Sequence, residues 1–147
     1  MKAVGVFLCA VGATCAELAD APLPPPRRLT VCSANQAVCA ESDPGSNTTT
    51  IRSHQTQRDS WTIPGWHRWL FVSNDARSVV VGYPGLNLVP RDAHLQQPVL
   101  WFYQRDRLVR TVTLGDLYQD MTQLVPTTSH LPWTHHVGIN DANLLLV

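Results

Sequence analysis

The sequence predicts a mainly β fold: an antiparallel meander, sandwich-like or partial propeller-like sheet assembly with one short helix. Short apolar runs alternate with clusters of Gly, Pro, Asn, Asp and Ser, which is the pattern of strands joined by turns. The stretch Trp61 to Pro90 carries two such runs around the turn Ser73-Asn74-Asp75-Ala76, so it reads as a central hairpin. Only one later stretch changes to a helical period. We expect roughly eight to ten strands.

The first residues have the features of a signal peptide. Met1-Lys2 is a positive start, an apolar run follows, and Thr14-Cys15-Ala16 offers small residues for cleavage, so residues 1–16 are predicted to be removed. Cys9 and Cys15 are poorly placed for lipid attachment. No later run is long enough to predict a transmembrane segment. The chain is therefore expected to be exported to the periplasm or secreted.

Residues 17–28 are rich in proline and have no apolar period, so they are interpreted as an extended, semi-rigid tether. Residues 29–147 then form a single β-rich domain. The sequence ends inside the apolar run Leu144 to Val147. Two explanations stay open: this strand is buried by a neighbour or a partner, or the chain is a truncated form of a longer protein.

The first predicted hairpin contains both cysteines of the mature chain. Strands are expected at Leu29–Ser33 and Ala37–Ser42, with Asn35-Gln36 at the tip, which places Cys32 opposite Cys39. An export signal and an even cysteine pair favour a disulfide over two buried thiols. A second turn, Asp43 to Asn47, leads to a third strand at Thr48–Arg52, and the polar residues 53–60 predict an exposed loop or a solvated edge.

In the central hairpin, Trp69 and Phe71 share one face of the strand, and Leu70 and Val72 share the other. The returning run Val79-Val80-Val81 is apolar on both faces, which predicts a strand covered on each side. Two further strands are expected around the turn Arg105-Asp106, namely Val99–Tyr103 and Leu108–Thr113.

A helical period follows from Leu114 to Val125, where the apolar residues fall on one side of a helix. Thr113 with Asp116 is a variant of the capping box, and Pro126 closes the element. One short helix packed on a sheet is expected here.

A weak internal repeat matches Trp66–Val81 to Trp133–Val147, with Asn74-Asp75-Ala76 on Asn140-Asp141-Ala142. The first hairpin has the same strand, turn and strand form. Such hairpins recur in propeller blades, although unrelated hairpins also share turn chemistry. A closed propeller would need more chain than is present.

Charge excludes several functions. Removing Lys2 with residues 1–16 leaves ten arginines against eleven acidic residues, a net charge of minus one. No basic field for nucleic acid is present. Without lysine, the mature chain has neither Schiff-base chemistry nor a Walker-type phosphate lysine.

Several motifs resemble a group of exported proteins of Gram-negative bacteria to which no activity is assigned. They are Trp61-x-x-Pro64-Gly65-Trp66, Phe71-Val72-Ser73-Asn74-Asp75, Val79-Val80-Val81-Gly82-Tyr83-x-Gly85-Leu86-Asn87-Leu88 and Ser129-His130-x-x-Trp133. Members of the group often have Asp-Gly in turns where this chain has Asp75-Ala76 and Asn35-Gln36, and they continue past the last strand. The resemblance implies export and a β-rich fold, and it implies no catalytic residue.

Candidate chemistry is sparse, and no catalytic residue, metal site or cofactor is assigned. His130, His135 and His136, with Asp141 nearby, have zinc-ligand chemistry, but consecutive histidines in a strand point to opposite faces, so ordinary surface histidines are the favoured interpretation. The neighbours Ser129 and His130 are not expected to pair as in a serine hydrolase. Asp116 and Asp120 lie one helical turn apart and are interpreted as a solvated helix face.

Tryptophan offers the better indication of function, because its ring stacks on sugars and peptides. Trp66 and Trp133 follow Pro-Gly and Leu-Pro and are expected to be exposed and ligand-binding. The predicted function is a non-enzymatic binding or interaction module of the bacterial envelope, which contacts a protein or a glycan through a sheet edge or an exposed tryptophan. The alternative is a small exported metal-dependent hydrolase that uses the group of His130, His135 and His136.

Overall fold

The computed structural model describes residues 22–54, 60–135, 137–139 and 145–146. The predicted signal peptide, the start of the tether and the centre of the 53–60 loop lie outside these ranges. The described elements are, in order, β1 (Leu29–Cys32), β2 (Val38–Asp43), β3 (Thr48–Ser53), β4 (Trp61–Pro64), β5 (Leu70–Val72), β6 (Ser78–Gly82), β7 (Leu88–Pro90), β8 (Pro98–Gln104), β9 (Arg107–Thr113), α1 (Leu114–Leu117), a 3-10 turn (Met121–Gln123), β10 (His130–Pro132), β11 (Gly138–Ile139) and β12 (Leu145–Leu146).

Within the described ranges the chain forms twelve strands, all paired antiparallel, and one short α-helix, which confirms the predicted mainly β fold. The first sheet is the meander β1-β2-β3-β4, and the second has the order β5-β6-β8-β9. Two short ladders join β7 to β10 and β11 to β12. Within the described ranges no sheet closes into a barrel or a propeller. The strands outnumber the expected ones because several have only two or three residues, too few to show a period.

Two apolar cores lie on opposite faces of the second sheet. The core on one side joins β5 and β6 to the first sheet; its buried members are Val38, Ala40, Ile51, Trp61, Ile63, Leu70, Val72, Val79 and Val81. The other core lies under α1 and the β7–β10 ladder; its buried members are Val80, Val89, Val99, Leu100, Val112, Leu114, Leu124, Leu131 and Trp133. Strand β6 contributes to both, so the prediction that it is covered on each side is confirmed.

The β1–β2 and β5–β6 hairpins have the same turn. In the first, Ser33 Oγ donates to Asn35 Oδ1 at 2.8 Å and accepts from the Val38 N–H at 3.2 Å, while Asn35 Oδ1 accepts from the Ala37 N–H at 3.0 Å. Forty positions later the same bonds are made by Ser73, Asp75, Arg77 and Ser78. The expected likeness of these hairpins is confirmed in their turns. The expected third copy, Asn140-Asp141-Ala142, lies outside the described residues.

Both turns place a residue other than glycine in the left-handed region, because Gln36 and Ala76 each have a φ of 59°. A residue with a Cβ is sterically strained in this region of backbone conformation, whereas glycine is not. Relief of this strain in Gln36→Gly is partly offset by loss of the bond from Gln36 Nε2 to the Ser33 carbonyl at 3.2 Å, so a rise of about 0.5 kcal/mol in the free energy of unfolding is expected, measured by urea denaturation. The control is Ala34→Gly in the same turn, where φ is not positive, which is expected to be neutral or destabilising. Equal effects of the two changes would contradict this account.

The predicted helix over Leu114–Val125 is wrong in length. Its start is confirmed, because the Asp116 carboxylate accepts from the Thr113 N–H at 2.7 Å and from the Thr113 hydroxyl at 3.0 Å. These bonds lower the pKa of Asp116. Helix α1 ends at Leu117, since Tyr118 is extended and Asp120 accepts from the Thr122 N–H to begin a separate 3-10 turn.

Asp116 and Asp120 are both exposed, as expected, but they cap different turns and do not share one helix face. The apolar period from Leu114 to Val125 still predicted the burial of two residues. Leu114 and Leu124 belong to the same core, although the chain between them is not one helix.

The predicted disulfide is present. Cys32 lies opposite Cys39 in the β1–β2 register, and their sulfur atoms are bonded. A loop this short stabilises the fold by about 2–3 kcal/mol in the chain-entropy view. Such bonds persist in oxidising compartments. Among the described residues, no helix combines the length and the hydropathy that crossing a membrane requires.

Candidate functional site

Trp66 lies in the connection of residues 65–69 that links the first sheet to the second. Gly65 begins this connection with a φ of +94°, and a Cβ there would lie 3.0 Å from the His67 ring. Glycine is therefore required for the chain to turn out of β4. The turn brings Trp66 and Arg68 to the surface, where both are half-buried.

Polar groups in the first sheet hold this connection in place. The fully buried Thr49 donates its hydroxyl to the Gly65 carbonyl at 3.0 Å, and the fully buried Ser42 accepts from the His67 N–H at 2.7 Å. Asn47 Oδ1 accepts from the Trp66 N–H at 3.0 Å. Because buried hydrogen bonds are costly to leave unmade, the backbone under Trp66 is set by the fold and not by a ligand.

His67 adds no charge to this surface near neutral pH. Burial lowers the pKa of its imidazole, although the contact of Nε2 with the Pro64 carbonyl at 2.9 Å opposes the shift. The neutral ring with its proton on Nε2 is the form that donates to that carbonyl. Arg68 is then the cation of the connection.

Trp66 and Arg68 form one composite surface, which we call the Trp66–Arg68 face. Cζ of Arg68 lies 5.2 Å from the centroid of the Trp66 ring, within the range of a cation–π contact. Stacking orients the guanidinium and the indole together. The indole N–H and the guanidinium N–H groups are thus presented side by side as hydrogen-bond donors.

These donors hold the proline-rich segment of residues 22–28. The indole Nε1 of Trp66 donates to the Arg27 carbonyl at 2.7 Å, and Nη2 of Arg68 donates to the Pro24 carbonyl at 2.6 Å. Every side chain from residue 22 to residue 28 is exposed, so the segment is held chiefly through its main chain. Residues 24–28, the described end of the predicted extended tether, therefore contact the domain, because carbonyls without sheet partners accept from its side-chain donors.

Arg28 adds an ionic contact at the end of the segment. Its guanidinium binds Asp43 Oδ2 and lies 3.4 Å from Glu41 Oε1. The pKa of Asp43 is lowered, first by the Gly45 N–H and then by Arg28. The contact is exposed, so its contribution is small and sensitive to salt.

Trp133, the second predicted ligand-binding tryptophan, is not exposed. Its exposure is 0%. Its indole N–H donates to the Leu86 carbonyl at 2.8 Å, and its ring meets that of Trp69 edge-on at 5.9 Å. The expectation of exposure is wrong because Leu131-Pro132 is not a surface turn; it pairs with β7 and leads the chain into the core.

Two clefts that the sequence did not indicate are formed by the described residues. One, of about 320 Å³, is lined by Trp69, Leu86, Asn87, Thr134, His135 and Val137. The other, of about 490 Å³, is lined by Arg77, Gln104, Arg105, Asp106 and Arg107. In the second cleft, distant arginines meet because β6 pairs with β8, with Ser78 opposite Gln104. The signal in the sequence was that Arg105 lies in one predicted turn and Arg77 directly follows another.

The histidine group is not brought together in the part of the chain that the structure describes. His130 lies in β10 and His135 is exposed beyond it, whereas His136 and Asp141 lie outside the described residues. Among described residues, no group of three or more His, Cys, Asp or Glu side chains is arranged to hold a metal ion. The metal-dependent hydrolase stays a prediction.

One expectation about this group is wrong. Ser129 Oγ lies 3.0 Å from Nδ1 of His130, so the two neighbours do meet. The contact is possible because Ser129 precedes the strand, in a turn where Thr127 bonds to the backbone of His130. Ser129 is exposed, and neither cleft described above includes the pair.

The Trp66–Arg68 face is the described surface that carries both an aromatic ring and bound polypeptide. Scans of protein-family models, curated proteins and solved structures found no match to this chain.

Proposed function

We propose that the protein is an exported, non-enzymatic binding module whose Trp66–Arg68 face binds extended polypeptide. One observation carries the proposal. Trp66 and Arg68, on the connection that the first sheet holds in place, donate to main-chain carbonyls of residues 22–28, a segment that belongs to no sheet. Recognition of an extended main chain by aromatic and polar side chains is a recurrent mode of peptide binding. The contacts reach carbonyl groups, which favours a protein partner over a glycan.

The β9 edge of the second sheet is less suited to binding an extended polypeptide. Strand β9 is exposed at the edge of the second sheet, with Leu108 at 46% and Val109 at 48% exposure. The register between β8 and β9 shifts beside Val109, which leaves this residue out of the ladder as a bulge. Bulges and charged residues such as Arg107 and Arg110 are devices that prevent the addition of a further strand.

Export to the periplasm or the exterior is part of the proposal. It is supported by the signal-peptide pattern of residues 1–16, by the resemblance to exported Gram-negative proteins, and by the disulfide between Cys32 and Cys39. Mass spectrometry of the protein recovered from the cell envelope is expected to find Glu17 as the first residue. A cytoplasmic chain that still begins at Met1 would contradict export.

Limited digestion with trypsin tests the face itself, because Arg27-Arg28 is a cleavage site within the bound segment. Trp66→Ala is expected to speed release of the N-terminal fragment by roughly tenfold. The lost hydrogen bond and ring contact are worth about 1.4 kcal/mol, a factor of ten in the unbound population, which controls cleavage when opening is fast.

Two further variants make the digestion specific. Trp66→Phe keeps a ring but removes the N–H, so an intermediate rate is expected. Leu108→Ala alters an exposed residue of β9 and should leave the rate unchanged. If all three variants match the original chain, the face does not hold the segment and the proposed function fails.

A further inference from the structure

Resting on the proposed function, we infer that the Trp66–Arg68 face recognises the polyproline II conformation. Its partner is a proline-rich segment of another protein that ends in a basic residue. Residues 22–28 of this chain occupy the same site and act as an intramolecular competitor. The inference follows from the spacing of the bound carbonyls, from the conformations that prolines allow, and from the charges at one end of the face.

The conformation of the bound segment is set by its sequence. Pro22, Pro24, Pro25 and Pro26 fix their own φ near −65°. Leu23, Pro24 and Pro25 each precede a proline, which disfavours helical backbone and favours extended conformations. Residues 23–25 are therefore biased toward polyproline II before they meet the domain, and binding costs them little conformational entropy.

The spacing of the contacts matches that conformation. A polyproline II helix has three residues per turn and rises about 3.1 Å per residue, so carbonyls three residues apart point the same way, about 9 Å apart. The carbonyls that Arg68 and Trp66 bind belong to Pro24 and Arg27, which are three residues apart. The two donors therefore span one turn of the ligand.

Other conformations do not present this pair of acceptors. In a β-strand, successive residues alternate in direction, so carbonyls three residues apart point to opposite sides. In an α-helix the carbonyls are used within the helix. The Trp66–Arg68 face therefore selects for backbone conformation. Because the side chains of residues 22–28 are exposed, many residue types can stand between the two bound carbonyls.

Charge gives the ligand a direction. Arg28 follows the second bound carbonyl directly and binds Asp43 and Glu41 on β2. A basic residue at this position therefore aligns the carboxyl end of the ligand with the acidic side chains. The favoured partner segment consists of consecutive prolines, one further residue that supplies the second bound carbonyl, and then arginine or lysine.

A partner segment must compete with residues 22–28 of this chain for the Trp66–Arg68 face. A short covalent connection gives the bound segment an effective concentration on the order of millimolar. A partner must exceed this, so the site favours partners that present several proline-rich segments or a high local density of them. Weakening the intramolecular ligand should therefore reveal binding by a free peptide.

The probe is a synthetic peptide with the sequence of residues 21–29, and the readout is the indole N–H signal of Trp66 in a nitrogen-correlated NMR spectrum. Loss of that signal in Trp66→Phe identifies it. The receiving protein is the full chain with Pro24→Gly, Pro25→Gly and Pro26→Gly, changes confined to the exposed segment. We expect a saturable shift, with affinity at least tenfold weaker for the unsubstituted chain, where the intramolecular segment competes.

Two control peptides test shape and direction. A peptide with glycine at the three proline positions should bind at least tenfold more weakly, and one with glutamate in place of Arg28 should bind severalfold more weakly. Absence of binding by the proline peptide, when digestion shows that Trp66 holds the segment, would overturn this inference and leave the proposed function intact. Equal binding of the proline and glycine peptides would overturn recognition of polyproline II.

Discussion

Trp133→Ala is expected to lower the free energy of unfolding by about 3–5 kcal/mol, the range for removing a large buried aromatic side chain. Trp133 fills the core beneath α1, and its indole N–H donates to the Leu86 carbonyl at 2.8 Å. Its main chain also bonds to the Asn87 carbonyl and the Tyr118 hydroxyl, and alanine keeps both of these groups. The substitution leaves a cavity and an unpaired Leu86 carbonyl, and the midpoint of urea denaturation reports the loss.

Matched variants separate the cavity from the hydrogen bond. Trp133→Phe fills most of the space but cannot donate, so a loss of about 1–3 kcal/mol is expected from the unpaired carbonyl and the missing ring. Trp66→Ala removes the same side chain from the surface and should cost less than Trp133→Ala, since Trp66 is only half-buried. Similar losses for Trp66→Ala and Trp133→Ala would contradict the burial difference between them.

The fold was most predictable where the local pattern and the tertiary environment agree. The disulfide followed from a short hairpin whose tip fixes the register, and the start of α1 followed from the capping residues Thr113 and Asp116. Both rest on contacts between residues close in sequence. The two-sided cover of β6 followed from apolar residues at successive positions, a pattern that a half-exposed strand does not have.

The errors arose where distant residues decide the outcome. Pro132 reads as part of a turn, but pairing with β7 draws it and Trp133 inward. The apolar period after Leu114 reads as one helix, but Tyr118 leaves the helix and its hydroxyl bonds to the Trp133 carbonyl. Local propensity does not contain these partners, so tertiary contacts override it.

Half of the candidate site could be predicted. Trp66 was singled out because it follows Pro64-Gly65, and the structure places it at the surface. Arg68 and the bound segment were missed, because a proline-rich stretch without an apolar period offers no side-chain signal for docking. The remaining clue was chemical: consecutive prolines leave carbonyls without neighbouring N–H donors, and such carbonyls bond to donors elsewhere.

Placing a charge on either face of β6 is expected to abolish the native fold. Val79 belongs to the core shared with the first sheet and Val80 to the core beneath α1; their exposures are 0% and 3%. Val79→Asp and Val80→Asp each bury a carboxylate with no cationic partner, which costs several kcal/mol, a large part of the 5–15 kcal/mol that usually stabilises a domain. Circular dichroism and thermal denaturation should show loss of the cooperative transition in both.

Val→Thr changes at the same positions keep the shape of the side chain, so that stability can be measured in folded protein. Each buried hydroxyl is expected to cost about 1–3 kcal/mol. Val109→Thr and Val109→Asp are the controls, because Val109 is a valine of the same sheet on the exposed edge, and surface changes usually stay within about 0.5 kcal/mol. Tolerance of a charge at only one of Val79 and Val80 would mean that one face of β6 is open to water. The first sheet or the α1 layer would then be docked differently, and the connection that carries Trp66 would lose its fixed position.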